Sequence, residues 1–128
     1  MTNSFTNILS WKKSHEFVIK VYKTTKIFPD YEKFGLCSQF QRAAVSIPAN
    51  IAEGYKKISR ADKLRFMNIA QGSLEECRYY IILSKDLEYI NNHTYEILWN
   101  EIEEVSKLLN GYCKGILANN FKANEVTS

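Results

Sequence analysis

Residues 95–116 read YEILWNEIEEVSKLLNGYCKGI. Tyr95, Leu98, Ile102, Val105, Leu109, Tyr112 and Ile116 fall in it at alternating steps of three and four. A helix turns 100° per residue, so these seven side chains share one face, and the steps are those of a seam between antiparallel helices. Trp99 and Leu108 widen the stripe beyond what a single neighbour would fill. The spacing predicts a helix over 94–119 that needs partners.

The rest of the chain supplies them. Phe17, Val18, Val21, Tyr22, Thr25 and Phe28 repeat at helical spacing after Trp11, with Ser10 as the expected cap and Pro29 as the stop. Leu36, Phe40, Ala43, Ala44, Ile47 and Ile51 mark a second helix over 36–55. Pro48 inside it removes one backbone hydrogen bond, so a kink is expected, or a new segment capped by Ser46. A third helix is expected over 60–86, capped by Ser59, with Leu64, Met67, Ala70, Leu74, Cys77 and Ile81 inward. Gly72 at its middle implies a place where another backbone comes close. Five Gly and two Pro in 128 residues also favour few, long elements. The expected fold is therefore all-α, an up-down-up-down antiparallel four-helix bundle over 10–121, with a flexible leader at 1–9 and a frayed tail at 122–128. An open pair of helical hairpins completed by a partner chain is the alternative.

Composition narrows the function. The N-terminus lacks a charged start followed by an apolar run, and the central apolar run Tyr79–Leu83 is too short to cross a bilayer. Three scattered cysteines without a C-x-x-C pair fit a reducing compartment, and a cytoplasmic protein without a membrane role is expected. The two histidines, His15 and His93, have no helical ligand partner, so neither a metal nor another cofactor is expected. No phosphate-binding glycine loop or nucleophile elbow occurs. Cys77 and Cys113 fall on apolar faces, and Cys37 near a helix start has no histidine close in sequence.

Charge is uneven. Residues 1–65 hold twelve Lys and Arg against five acids, and residues 66–128 hold five against nine. Such asymmetry suits an anionic partner or head-to-tail association of copies. The densest cations are Lys56, Lys57, Arg60, Lys63 and Arg65, with Tyr55 beside them and Asp62 the one acid among them. Cations spaced along a loop and a helix start match a phosphate backbone without base-specific geometry, and make these five the candidate nucleic-acid contacts. A solvated face is the competing reading. A second stripe, Arg42, Ser46, Asn50 and Glu53, with Ser73 and Glu76 across from it, reads as a polar network that sets helix register. Glu53 and Glu76 with Arg42 would instead form an acid–base pair if they opened into a cleft.

The stretch Gln39–Gly54, with its Ser-Ile-Pro-Ala-Asn-Ile-Ala-Glu-Gly run, and the stretch Ile69–Glu76 resemble the signature of the bacterial 23S rRNA-intervening sequence proteins. Trp11, Val21–Thr25, Phe28-Pro29 and Gly35-Leu36 with Gln39 fit the same family, over about residues 8–118. The resemblance implies a four-helix bundle that assembles into rings, commonly pentamers, and no catalytic residues. The accessory protein of diversity-generating retroelements is similar in fold, a basic pentameric barrel that binds nucleic acid and a reverse transcriptase. Motif positions carried over are Arg42, Ser46, Asn50, Glu53, Gly72, Ser73 and Glu76. Cys77-Arg78 departs from the apolar or small polar pair expected there, which leaves packing after Glu76 open. The functional expectation is a non-catalytic homo-oligomeric scaffold touching RNA or DNA through the basic loop. The alternative is a protein–protein adaptor without nucleic acid.

Overall fold

The structure, a computed structural model, describes residues 4–127, with side chains to residue 118. Four helices follow in order: α1 (Leu9–Thr25), α2 (Leu36–Lys56), α3 (Arg60–Asp86) and α4 (Asn92–Thr127). Each packs on the next, and α4 closes back on α1. That cyclic neighbour pattern is the antiparallel bundle the apolar spacing demands. Among the described residues no strand occurs.

The helix stripes meet in one core. Phe17, Val21, Phe40, Ile47, Ile51, Met67, Ile81, Ile102, Val105 and Leu109 have no solvent exposure. Burying a side chain of this size contributes about 1.5–3 kcal/mol, which offsets the entropy of ordering the chain. Tyr22, placed inward by spacing, is 43% exposed, because the neighbouring Val21 takes the central position.

Helix ends depart from expectation where tertiary contacts outweigh local signals. Part of the expected leader forms a short 3-10 turn, Phe5–Asn7, capped by Ser4. The Phe5 ring packs edge-on to Trp11 at 5.1 Å. So α1 starts at Leu9, and Ser10 is a buried residue of its first turn rather than its cap. α2 runs through Pro48 without a second start. Ser46 is no cap there, since its hydroxyl is bonded sideways to Asn50 and Ser73. α3 has the expected bounds, and the Asp62 amide donates to Ser59 Oγ at 3.1 Å. α4 begins earlier than expected because the Asn91 side chain caps it, accepting from Thr94 N at 2.8 Å. The tail expected at 122–128 lies outside the residues whose side chains are described.

The close approach expected at Gly72 occurs at Gly54 instead. A Cβ on Gly72 would meet nothing within 4 Å. One on Gly54 would overlap the Met67 methyl and stand 3.0 Å from Phe66 Cβ and 3.4 Å from the Lys63 carbonyl. Gly54 therefore sets how tightly α3 folds back on α2.

Candidate nucleic-acid interface

The α2–α3 connection is short, and opposite needs are met within it. The last carbonyls of α2 need donors, and the first amides of α3 need acceptors. Lys63, one turn into α3, reaches back and donates from Nζ to the Tyr55 carbonyl at 2.7 Å and the Gly54 carbonyl at 3.4 Å. Its ammonium also lies 5.7 Å from the Tyr55 ring centre. Burial lowers its pKa. Lys63, expected as a phosphate contact, is thus occupied as the C-terminal cap of α2.

Of the other four cations, Lys56, Arg60 and Arg65 face solvent and Lys57 is half-buried. Lys56 and Arg60 are exposed, and neither has an ion-pair partner among the described residues. Lys57 Nζ and Arg65 Cζ lie 5.1 and 4.9 Å from the centre of the Phe66 ring, so the ring links two cations no more than about 10 Å apart. Arg65 also pairs with Asp62 at 3.6 Å. Both partners are more than half exposed, and such pairs are weak and yield readily to a competing anion. Ile58, between Lys57 and Arg60, is 98% exposed. The result is a turn with an apolar tip and three cations free of carboxylates among the described residues, beside the positive end of α3. The sequence reading missed Phe66. Its single signal is an aromatic next to Arg65, and no spacing rule pairs it with Lys57.

The second stripe separates into two parts. Ser73 donates to Ser46 Oγ at 2.7 Å. Asn50 Nδ2 donates to the Ser46 carbonyl at 2.7 Å and hydroxyl at 2.9 Å. These three join α2 to α3. Arg42, Glu53 and Glu76 stay outside this set and are exposed, with Glu76 accepting from the Tyr80 hydroxyl at 3.3 Å. They share the outer α2–α3 surface with Val45, Ile69, Gly72 and Tyr79, all at least partly open to solvent. The motif thus serves the fold through its small polar members and leaves its charged members outside.

Arg78, of the Cys77-Arg78 pair where apolar or small polar residues were expected, holds α3 to α4. It pairs with Glu103 and stacks 5.4 Å from Trp99, while its Nε stands 2.8 Å from Glu75 as an ionic contact rather than a hydrogen bond. At the opposite end of the bundle, Tyr89 donates to Glu32 at 2.7 Å, and Glu32 accepts from the first amide of α2 at 3.1 Å. The Tyr89 bond first, then that amide, holds the Glu32 carboxyl below the usual range. Cys77 is buried, which pushes its thiol pKa up, as burial does for Cys37 and Cys113. Among the described residues no cluster of three His, Cys, Asp or Glu could hold a metal ion. No described helix is long and apolar enough to cross a membrane.

Comparison with known proteins concerns the fold as a whole. A family model described as 23S rRNA-intervening sequence protein matches residues 6–111. No curated protein matches the chain. Among solved structures, it is similar to a protein of unknown function from the S23 ribosomal protein family of Bacteroides thetaiotaomicron, with 34% identity and a TM-score of 0.76. The similarity covers 83% of this chain and 96% of that one.

Proposed function

The chain belongs to the 23S rRNA-intervening sequence protein family, and for it we propose the role of a non-catalytic, homo-oligomeric scaffold that contacts RNA or DNA through the α2–α3 turn. One observation carries the reading: Lys56, Lys57 and Arg60 surround an exposed turn with no carboxylate among the described residues bound to them. Cations left unpaired in this way are available to release counterions from a phosphate chain, the main source of sequence-independent affinity. Self-association is supported by the outer α2–α3 surface, where Val45 at 39%, Ile69 at 45% and Tyr79 at 57% exposure accompany Arg42, Glu53 and Glu76. Residues of both charges around apolar ones suit a heterologous contact, which closes into a ring where the rotation between copies divides a full turn; five copies is the size the family resemblance suggests. The three free thiols fit a cytoplasmic location.

Light scattering on a sizing column, in low and high salt and with a short mixed RNA, tests both parts. A multiple of the chain mass that shifts with RNA only in low salt is expected. A monomer removes the ring, and indifference to RNA removes the nucleic-acid role. The same exposed surface favours a second reading, a protein–protein adaptor. A stable ring that ignores RNA and retains one stoichiometric protein partner on purification would establish that reading.

A further inference from the structure

Beside the basic turn, the outer groove between α3 and α4 opens as a cavity of about 520 Å³ lined by Ala61, Leu64, Arg65, Asn68, Gln71 and Cys113. A smaller one of about 160 Å³ continues it past Gln71, along Leu74, Glu75, Ser106 and Asn110. Residues 61 to 75 of α3 span about 20 Å at 1.5 Å per residue. Arg65 belongs to both the turn and the groove, so the two surfaces are continuous.

The groove is chemically unlike the turn. Its floor is apolar, and its polar groups past Arg65 are mostly neutral carboxamides. Gln71 Nε2 donates to Asn110 Oδ1 at 2.9 Å. That bond orients both amides, and among the described residues Gln71 Oε1 remains free to accept and Asn110 Nδ2 free to donate. Asn68, one turn earlier, is exposed and has no hydrogen-bond partner among the described side chains. Carboxamides with donor and acceptor side by side match the edges of nucleobases, whereas phosphate needs cations. Glu75 at the far end repels a phosphate chain and limits where a backbone can run.

We propose that this groove reads bases of the single strand whose phosphates lie on the α2–α3 turn, with Asn68, Gln71 and Asn110 as the specificity-determining residues. A single strand is required, because unstacked bases expose these edges to a groove. The proposal rests on the nucleic-acid reading of the turn, and the test separates their failures.

The test is fluorescence anisotropy with labelled ribo- and deoxyribo-homopolymers across a salt series, on the full chain, on Asn68→Ala/Gln71→Ala, and on Lys56→Ala/Lys57→Ala/Arg60→Ala. The parent chain is expected to favour one base over the others by at least about fivefold, the low end for a bidentate base contact. Asn68→Ala/Gln71→Ala levels that preference and leaves the salt dependence unchanged. The triple variant weakens every sequence alike and lowers the salt slope by about 2, at roughly 0.7 per single-strand phosphate contact. Equal loss with ribo- and deoxyribo-strands assigns readout to the base, and loss with ribo-strands alone assigns part of it to the sugar hydroxyl. As an independent measure, a bound strand is expected to slow iodoacetamide alkylation of Cys113, which lines the groove. A parent chain without base preference, or an unprotected Cys113 with binding intact, overturns the groove and spares the turn. No binding at all overturns both.

Discussion

Two glycines in adjacent helices should respond to alanine with opposite signs. Alanine is better than glycine inside a helix by about 1 kcal/mol, so both substitutions gain the same local term. At Gly72 nothing lies within 4 Å of the new methyl, and the gain stands alone. Gly72→Ala is expected to stabilise the protein by about 0.5–1 kcal/mol. At Gly54 the methyl overlaps the Met67 terminus and lies 3.0 Å from Phe66 Cβ, an atom tied to the backbone that cannot swing away. Overpacking of a buried site costs about 1–3 kcal/mol, and two close contacts place this one toward the upper end. After the helical gain, Gly54→Ala should destabilise by about 1–2 kcal/mol, a fall in Tm of roughly 4–8 °C for a chain of this size. Urea unfolding at several protein concentrations measures both effects and separates folding from association. Met67→Ala then supplies the cycle: with the methionine terminus gone, Gly54→Ala should cost about 1 kcal/mol less than in the parent. A Gly54→Ala protein as stable as its parent, or strict additivity with Met67→Ala, refutes the argument that this contact sets the α2–α3 spacing.

Ser73→Ala removes the donor to Ser46 across α2–α3 in a 7% exposed position, and a loss of about 1–2 kcal/mol is expected in the same unfolding assay. Ile102→Ala, at the centre of the seam, should cost about 2–5 kcal/mol, and a cost below 1 kcal/mol would show that α4 is not packed as described. The Glu32 carboxyl titrates below its ordinary value of 4.5 in the folded protein, so the unfolded chain binds more protons around that pH. Its contribution is full above pH 4.5 and is lost as pH falls through the depressed folded value; Glu32→Gln should flatten that part of the stability–pH curve, read by unfolding between pH 6 and 3.

Much of the bundle was legible because period carries packing. The three-and-four steps from Tyr95 to Ile116 can be satisfied only by a helix with neighbours on one face, and the Ser59 cap marks the start of α3 by a bond between residues three apart. Such local rules also located the cation cluster, since five charges within ten residues remain together in any fold that keeps the turn. The division of labour inside that cluster was not legible. Lys63 caps α2 because α3 folds back over it, and Phe66 collects Lys57 because the turn brings them together. The same holds for the polar stripe, where the spacing grouped Arg42 and Glu53 with Ser46 and Asn50 although only Ser46 reaches Ser73 and Asn50 joins them through Ser46. A helical stripe says which residues share a direction, not which side chains are short enough to be enclosed by the neighbour.

The sequence by itself therefore determined helix number, order, inward faces and the site of the charge cluster, because each is a property of residues within a few turns of one another. The tertiary structure alone decided which glycine is a contact, which lysine is consumed as a cap, and which polar groups line the α3–α4 groove. Those depend on distances between segments tens of residues apart, and no local period encodes them.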